Sequence, residues 1–213
     1  MENLQSYLAK PDRGTGPGVL VLHAWWGLNP FIRNLCDRFA QEGFVALAPD
    51  LYHGRLAGTI PEAEKLRGKL KRDVAAQEIQ AAGEELLRLC GSRTLGLVGF
   101  SLGGYLGLGY ADQPGNPVAA AVTFYGSRGG DYANSRAAFQ FHFAETDPYT
   151  SASAVKTIQK NLKAAGRPAE FHVYPGTGHW FFESDRPDSY RPEAAKLAWE
   201  RTLSFLKANI HHV

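Results

Sequence analysis

The chain has 213 residues, a length that predicts one domain, spanning residues 1–213, rather than two. Hydrophobic residues make up 44% of it and charged residues 21%, which are the proportions of an ordinary globular protein and argue against disorder. The 23 basic and 21 acidic residues leave a net charge of only +2. The sequence has no run of Lys and Arg residues suited to binding the phosphates of a nucleic acid. We therefore expect no nucleic-acid partner.

The sequence also indicates where the protein is found and whether it binds a membrane or a metal. No apolar run approaches the roughly 18 residues that span a membrane, and residues 1–10 lack the apolar stretch of a signal peptide. We therefore expect a cytoplasmic protein without a membrane partner, present as a monomer or a weak homodimer. Cys36 and Cys90 fall at apolar positions of predicted helices, where free cysteine behaves as a small hydrophobic residue. No Cys/His spacing is typical of a zinc site, so we expect no metal.

Short apolar runs alternate with amphipathic segments along the chain. The runs predict strands over residues 19–23, 44–48, 94–100, 118–124, 139–143 and 169–174. The first predicted helix has Asn29 as its cap and Pro30 as its first residue, and Gly43 ends it. Further helices are predicted over residues 61–90 in two pieces, 102–111, 155–165 and 194–210.

Continuous apolar strands between helices indicate an α/β fold with a mostly parallel, doubly wound sheet of about seven strands. Residues 51–73 are the one long insertion, and no separate lid domain is visible. Ligands bind such sheets beyond the carboxyl ends of the strands. The residues that directly follow each strand are therefore the candidates for a functional site.

One of these positions carries a nucleophile motif. Residues 99–103, Gly-Phe-Ser-Leu-Gly, match the nucleophile-elbow pattern G-x-S-x-G between a predicted strand and a predicted helix. The pattern places the hydroxyl of Ser101 at the tip of a tight turn, and its glycines avoid collisions with the neighbouring strand and helix. A glycine-rich turn that contains an incidental serine is the alternative interpretation.

A serine hydroxyl becomes an effective nucleophile when an imidazole takes its proton. His179 lies after the last predicted strand and is the candidate base among seven histidines, with a role in stabilising the loop as the alternative. Asp147 follows the strand over residues 139–143 and fits the order Ser, acid, His. Glu145 is the rival acid, and a helix-capping role for Asp147 is also possible.

The remaining predicted site residues would bind the substrate. An acyl oxyanion needs two N–H donors, and we expect the backbone N–H groups of Leu102 and Trp25 to supply them. Trp26, Tyr52 and Trp180 are expected to line the substrate pocket, since they follow strands at the same edge of the sheet.

These motifs resemble those of the dienelactone hydrolase family of α/β-hydrolases. The resemblance covers nearly the whole chain and rests on residues 23–29 (His-Ala-Trp-Trp-Gly-Leu-Asn), 49–52 (Pro-Asp-Leu-Tyr), 99–104 (Gly-Phe-Ser-Leu-Gly-Gly), Asp147 and the pair Gly178-His179. It implies the α/β-hydrolase fold, and its triad falls on Ser101, Asp147 and His179, in agreement with the choice made from the residues.

The chain departs from the family pattern at three positions. Founding members have Cys where this chain has Ser101, and a Glu that holds the thiol where this chain has Ala24; the paired change suggests serine chemistry. They also have an Arg that grips the substrate carboxylate, and Glu183 stands there instead. A Glu that faced the pocket would repel an anion, so we expect a preference for small neutral esters over dienelactones, unless Arg72 or another basic residue of 61–73 supplies the charge.

The sequence thus predicts a serine hydrolase that cleaves small carboxylic esters or lactones through an acyl-enzyme on Ser101. This chemistry needs no cofactor, so we expect none. One alternative is a catalytically silent small-molecule binding protein on the same fold. The other is a thioesterase or peptidase that uses the same triad.

Overall fold

The structure, a computed structural model, describes residues 6–210; residues 1–5, part of the segment considered for a signal peptide, lie outside this range. Within it, seven strands form one sheet in the order β1-β3-β2-β4-β5-β6-β7. The strands are β1 (Ser6–Ala9), β2 (Gly18–Leu22), β3 (Val45–Pro49), β4 (Leu95–Phe100), β5 (Val118–Phe124), β6 (Ala138–Thr146) and β7 (Ala169–Gly178). β1 runs antiparallel to β3, and all other neighbouring strands are parallel.

Six helices are found in the described part of the chain. They are α1 (Pro30–Gln41), α2 (Ile60–Lys69), α3 (Arg72–Cys90), α4 (Leu102–Ala111), α5 (Ala152–Ala164) and α6 (Pro192–Asn209). α1 starts as predicted, because the Asn29 side chain accepts a hydrogen bond of 3.1 Å from the backbone N–H of Ile32 and Pro30 occupies the first helical position.

Helices cover both faces of the sheet, which confirms the doubly wound α/β architecture. In β2, Val19 and Val21 belong to a core shared with α1 and α6. Leu20 and Leu22 face the opposite side, in a core shared with α3, α4 and α5. Successive residues of a strand point to opposite faces, so burial on both sides requires the uninterrupted apolar runs seen in the sequence.

Two of the observed strands, β1 and β7, differ from the predicted ones. β1 was not predicted, because its four residues are mostly at least partly exposed and form no apolar run. β7 extends past residue 174 to Gly178, since Thr146 pairs with Gly178 after a shift in register beyond Ala144. This longer pairing brings the segment before His179 beside the end of β6.

Two further predictions concern the cysteines and membrane-spanning helices. Cys36 and Cys90 are free and buried, and burial raises the pKa of their thiols to about 12 and about 11. Neither thiol is therefore a ready nucleophile at neutral pH. Over residues 6–210, no helix combines the length and the apolar character that crossing a membrane requires.

Candidate active site

Ser101 lies in a strained turn between β4 and α4. Its φ of 49° is positive, a conformation that non-glycine residues rarely adopt and that is common at functional sites. The two glycines of the motif are sterically required: a Cβ on Gly99 would approach the Gly103 backbone to 2.7 Å, and a Cβ on Gly103 would collide with the backbone oxygen of Leu22. The turn therefore has the nucleophile-elbow geometry that its sequence predicted.

The structure brings the three residues of the predicted triad together. His179 Nε2 lies 3.0 Å from the Oγ of Ser101, and His179 Nδ1 lies 2.8 Å from the Oδ2 of Asp147. The side chains of His179 and Asp147 are only 3% and 5% exposed. These contacts form one continuous hydrogen-bonded chain from a hydroxyl through an imidazole to a carboxylate.

Asp147, which directly follows β6, and its rival Glu145, which lies within β6, have different hydrogen-bond partners. The second oxygen of Asp147, Oδ1, accepts hydrogen bonds from the backbone N–H groups of Tyr149 (2.8 Å) and Thr150 (3.1 Å), which fixes the carboxylate toward His179. Glu145 instead accepts a 2.9 Å bond from the backbone N–H of Gly176. Its carboxylate therefore ties the end of β6 to the last part of β7.

A cavity of about 560 Å³ opens beside Ser101. Its wall on the sheet side includes Trp25, Leu102, Tyr125 and His179. The opposite wall comes from α2, from the turn that joins α2 to α3, and from the start of α3. The long insertion of residues 51–73 therefore covers part of the site without forming a domain of its own.

Trp25 and Leu102 both lie at this cavity, as expected for residues that would donate backbone N–H groups. Leu102 is the first residue of α4, and the first N–H groups of a helix have no partner within the helix. The loop of Trp25 is held by His23: Nδ1 lies 2.6 Å from the oxygen of Ala24, and Nε2 accepts a 3.2 Å bond from Leu51 N–H. Burial lowers the pKa of His23, which favours the neutral ring that this arrangement requires.

Trp26, Tyr52 and Trp180, which were expected to line the substrate pocket, do not lie in the wall of this cavity. Trp26 and Trp180 pack against Trp25, with ring centroids 5.6 and 6.0 Å from its own, so that Trp25 reaches the cavity wall and they do not. Tyr52 lines a smaller, separate cavity beside α2 and α3. Trp25 and Trp26 are thus adjacent in sequence, but only Trp25 lies in the cavity wall.

Glu183 also does not face the cavity, so the predicted repulsion of anionic substrates has no structural basis. Its side chain is 1% exposed, and it accepts a 2.6 Å hydrogen bond from the hydroxyl of Tyr125. Burial raises the pKa of Glu183 to about 8. No specific role was predicted for Tyr125, although it directly follows β5 at the functional edge of the sheet.

Two arginines line the cavity instead. Arg67 on α2 and Arg72 at the start of α3 both contribute to its wall, and the guanidinium of Arg72 lies 5.6 Å from the ring centroid of Tyr105. Arg72 was named in the sequence analysis as a possible source of positive charge, whereas Arg67 belonged to the same segment without being singled out.

The fold and the site together define the class of protein. A seven-stranded, mostly parallel sheet with a nucleophile elbow at its carboxyl edge is the α/β-hydrolase fold, and the elbow serine has an imidazole and a carboxylate in line with it. The protein is a hydrolase of this fold. More particularly, the chain belongs to the dienelactone hydrolase family, whose sequence profile matches residues 4–210.

Individual relatives match along almost their whole length. The chain is 36% identical to "Protein usf" of Aquifex pyrophilus, over 96% of this chain and 93% of that protein. It is 34% identical to the "Putative carboxymethylenebutenolidase" of Aquifex aeolicus, with the same coverage of both chains. A crystal structure described as a "Putative Dienelactone Hydrolase" from Klebsiella pneumoniae is 30% identical and has a TM-score of 0.86, covering 97% of this chain and 93% of that one.

Proposed function

We propose that the protein is a serine hydrolase of esters or lactones, with Ser101, His179 and Asp147 as its catalytic triad. The observation that carries this proposal is the unbroken hydrogen-bonded chain of 3.0 and 2.8 Å that ends at a hydroxyl in the cavity. An imidazole held on one nitrogen by a buried carboxylate accepts a proton on the other. A binding protein without activity would not need a serine, an imidazole and a carboxylate in this hydrogen-bonded arrangement. The arrangement therefore counts against that alternative.

The reaction follows from this geometry. His179 takes the Ser101 proton as Oγ attacks the substrate carbonyl, and it returns that proton to the leaving oxygen when the ester or lactone C–O bond breaks. Water then attacks the acyl-enzyme, giving a proton to His179. When the bond to Oγ breaks to release the acid, His179 passes that proton to Oγ, which restores the Ser101 hydroxyl. The imidazole thus acts as a base and then as an acid in each half of the reaction.

The negative charge of each tetrahedral intermediate falls on the former carbonyl oxygen. The backbone N–H of Leu102, at the positive end of α4, is one donor to it, and the N–H of Trp25 is the other. Because both loops are fixed before the substrate arrives, through Ser101 on one side and His23 on the other, the donors need no rearrangement during the reaction.

The substrate that fits best carries a carboxylate. Arg67 and Arg72 present positive charge to the cavity, and a guanidinium recognises a carboxylate through paired hydrogen bonds. The name of the Aquifex aeolicus relative denotes action on a lactone with a carboxymethylene group, which is ionised at neutral pH. A small anionic lactone is also in keeping with a cavity of about 560 Å³.

A panel of substrates tests the reaction class and the specificity together. We expect turnover of p-nitrophenyl acetate and a higher kcat/KM for carboxymethylenebutenolide, with little activity on an acyl thioester or a peptide amide. Turnover of the thioester or peptide alone would favour the corresponding rival enzyme. No turnover of any substrate would favour the binding protein.

Variants of the two arginines test the charge directly. Arg67→Gln and Arg72→Gln should each raise KM for carboxymethylenebutenolide by about 10-fold or more, as expected from the loss of one charge-assisted contact. KM for the neutral p-nitrophenyl acetate should change little. Arg55→Gln is a matched control, since Arg55 lines the second cavity instead. Equal effects on the neutral and anionic substrates would contradict the assignment.

A further inference from the structure

Tyr125 and Glu183 form a buried pair behind the proposed triad. The Tyr125 hydroxyl donates to Glu183 Oε1 at 2.6 Å, and both residues are 1% exposed. Glu183 lies on the turn that follows His179, and its backbone N–H donates to the oxygen of Trp180. The hydrogen bond therefore joins the end of β5 to the segment that carries the base.

Tyr125 contacts His179 directly and is linked to Asp147 through Thr150. Its ring packs against the imidazole of His179, with centroids 4.6 Å apart. Its backbone oxygen accepts a 3.0 Å bond from the hydroxyl of Thr150, and the backbone N–H of Thr150 donates to Asp147. The side chain of one residue thus supports the imidazole, while its backbone supports the loop of the carboxylate.

The conformation of Tyr125 needs an external anchor. Its φ of 42° is positive, which is strained for a residue other than glycine and persists where surrounding contacts hold it. The hydrogen bond to Glu183 is such a contact at the end of the side chain. An Arg at position 183 would have donors only and could not accept this bond.

On the basis of the proposed function, we infer that Glu183 is a positioning residue for catalysis. By accepting the Tyr125 hydroxyl, it fixes Tyr125 between the loops of His179 and Asp147, and so holds the imidazole against Ser101. Glu183 does not line the cavity, so it acts on the rate of proton transfer and not on the binding of substrate.

Four variants separate this role from simple stabilisation. Glu183→Leu and Tyr125→Phe each remove the hydrogen bond, and Glu183→Gln keeps an oxygen that can accept it. The double variant Tyr125→Phe/Glu183→Leu leaves no unpaired polar group behind, so part of the lost stability should return. Tyr174→Phe is a matched control, since it removes a buried tyrosine hydroxyl that contacts His142, at 2.7 Å, away from the proposed triad.

The measurements are kcat and KM on p-nitrophenyl acetate, the rate of Ser101 labelling by a fluorophosphonate, and urea unfolding. Glu183→Leu and Tyr125→Phe should lower kcat and the labelling rate by about 10-fold, because small displacements of catalytic groups have large effects on rate, with KM nearly unchanged. Glu183→Gln should keep most of the wild-type kcat and labelling rate. The double variant should remain as slow as the single ones although its stability improves, and Tyr174→Phe should lose stability but not kcat.

Several results would overturn the inference. Unchanged kcat in Glu183→Leu, recovery of kcat with stability in the double variant, or an equal loss of kcat in Tyr174→Phe would each reduce the pair to a structural role. If Glu183→Leu does not fold, Tyr125→Phe decides alone, since it removes a single oxygen. A wild-type protein that is not labelled at Ser101 would instead contradict the proposed function.

Discussion

Glu183→Gln should change how the stability of the protein depends on pH. Burial raises the pKa of Glu183 to about 8 from an ordinary value of 4.5; Asp185 raises it further, while the Tyr125 hydrogen bond and Arg186 lower it. Between these two values the folded protein retains a proton that the unfolded chain has released. Stability is therefore lost progressively as the pH rises from about 4.5 to about 8, and Gln, which does not titrate, removes this dependence.

The size of the effect follows from the shift. One pKa unit corresponds to about 1.4 kcal/mol, so between pH 5.5 and pH 8 this group alone should cost the wild-type protein about 3 kcal/mol of unfolding free energy. With a urea m-value of about 3 kcal/mol per molar, this is a shift of about 1 M in the midpoint.

Urea unfolding of both proteins at pH 5.5 and pH 8 measures this difference. Because the other titratable groups are the same in both, subtracting the two pH dependences isolates the contribution of Glu183. We expect the wild-type midpoint to fall by about 1 M more than that of Glu183→Gln. Equal falls in the two proteins would refute the reasoning that burial keeps the carboxyl protonated.

Two further predictions concern the acid of the triad and the turn that carries the nucleophile. Asp147→Asn should lower kcat on p-nitrophenyl acetate by about 10⁴-fold, because an amide stabilises the wrong imidazole tautomer; Glu145→Gln should have a much smaller effect, and equal losses would leave the acid unassigned. Gly103→Ala should lower Tm by several degrees or more, since its Cβ would meet the backbone oxygen of Leu22. Gly68→Ala, with nothing within 4 Å of the added Cβ, should not lower Tm, and similar losses would contradict the steric argument.

The parts of the site that could be predicted from the sequence are those set by local pattern and chain order. The turn of Ser101 needs small flanking residues wherever it occurs, so the motif itself predicts the geometry. Asp147 and His179 follow β6 and β7, and the carboxyl ends of parallel strands meet at one edge of the sheet. Proximity of the three residues therefore follows from the alternation of strands and helices.

The surroundings of the other side chains depend on contacts that are distant in sequence. Glu183 is turned away from the cavity by its bond to Tyr125, 58 residues earlier in the chain, and no local pattern indicates such a pair. Trp26 and Trp180 are placed by packing against Trp25, and position along a loop does not determine which ring faces the ligand. β1 escaped prediction for the same reason, because it is defined by its pairing with β3.

The central claim, that Ser101 is the nucleophile of a working hydrolase, is tested most directly by labelling. The wild-type protein is treated with a fluorophosphonate, the modified residue is located by mass spectrometry, and kcat is compared with that of Ser101→Ala. We predict a single adduct on Ser101, blocked in Ser101→Ala, and a fall in kcat of about 10⁴-fold or more, because the members of a triad act as a unit. Labelling elsewhere, or a Ser101→Ala variant that retains most of its esterase activity, would contradict the claim.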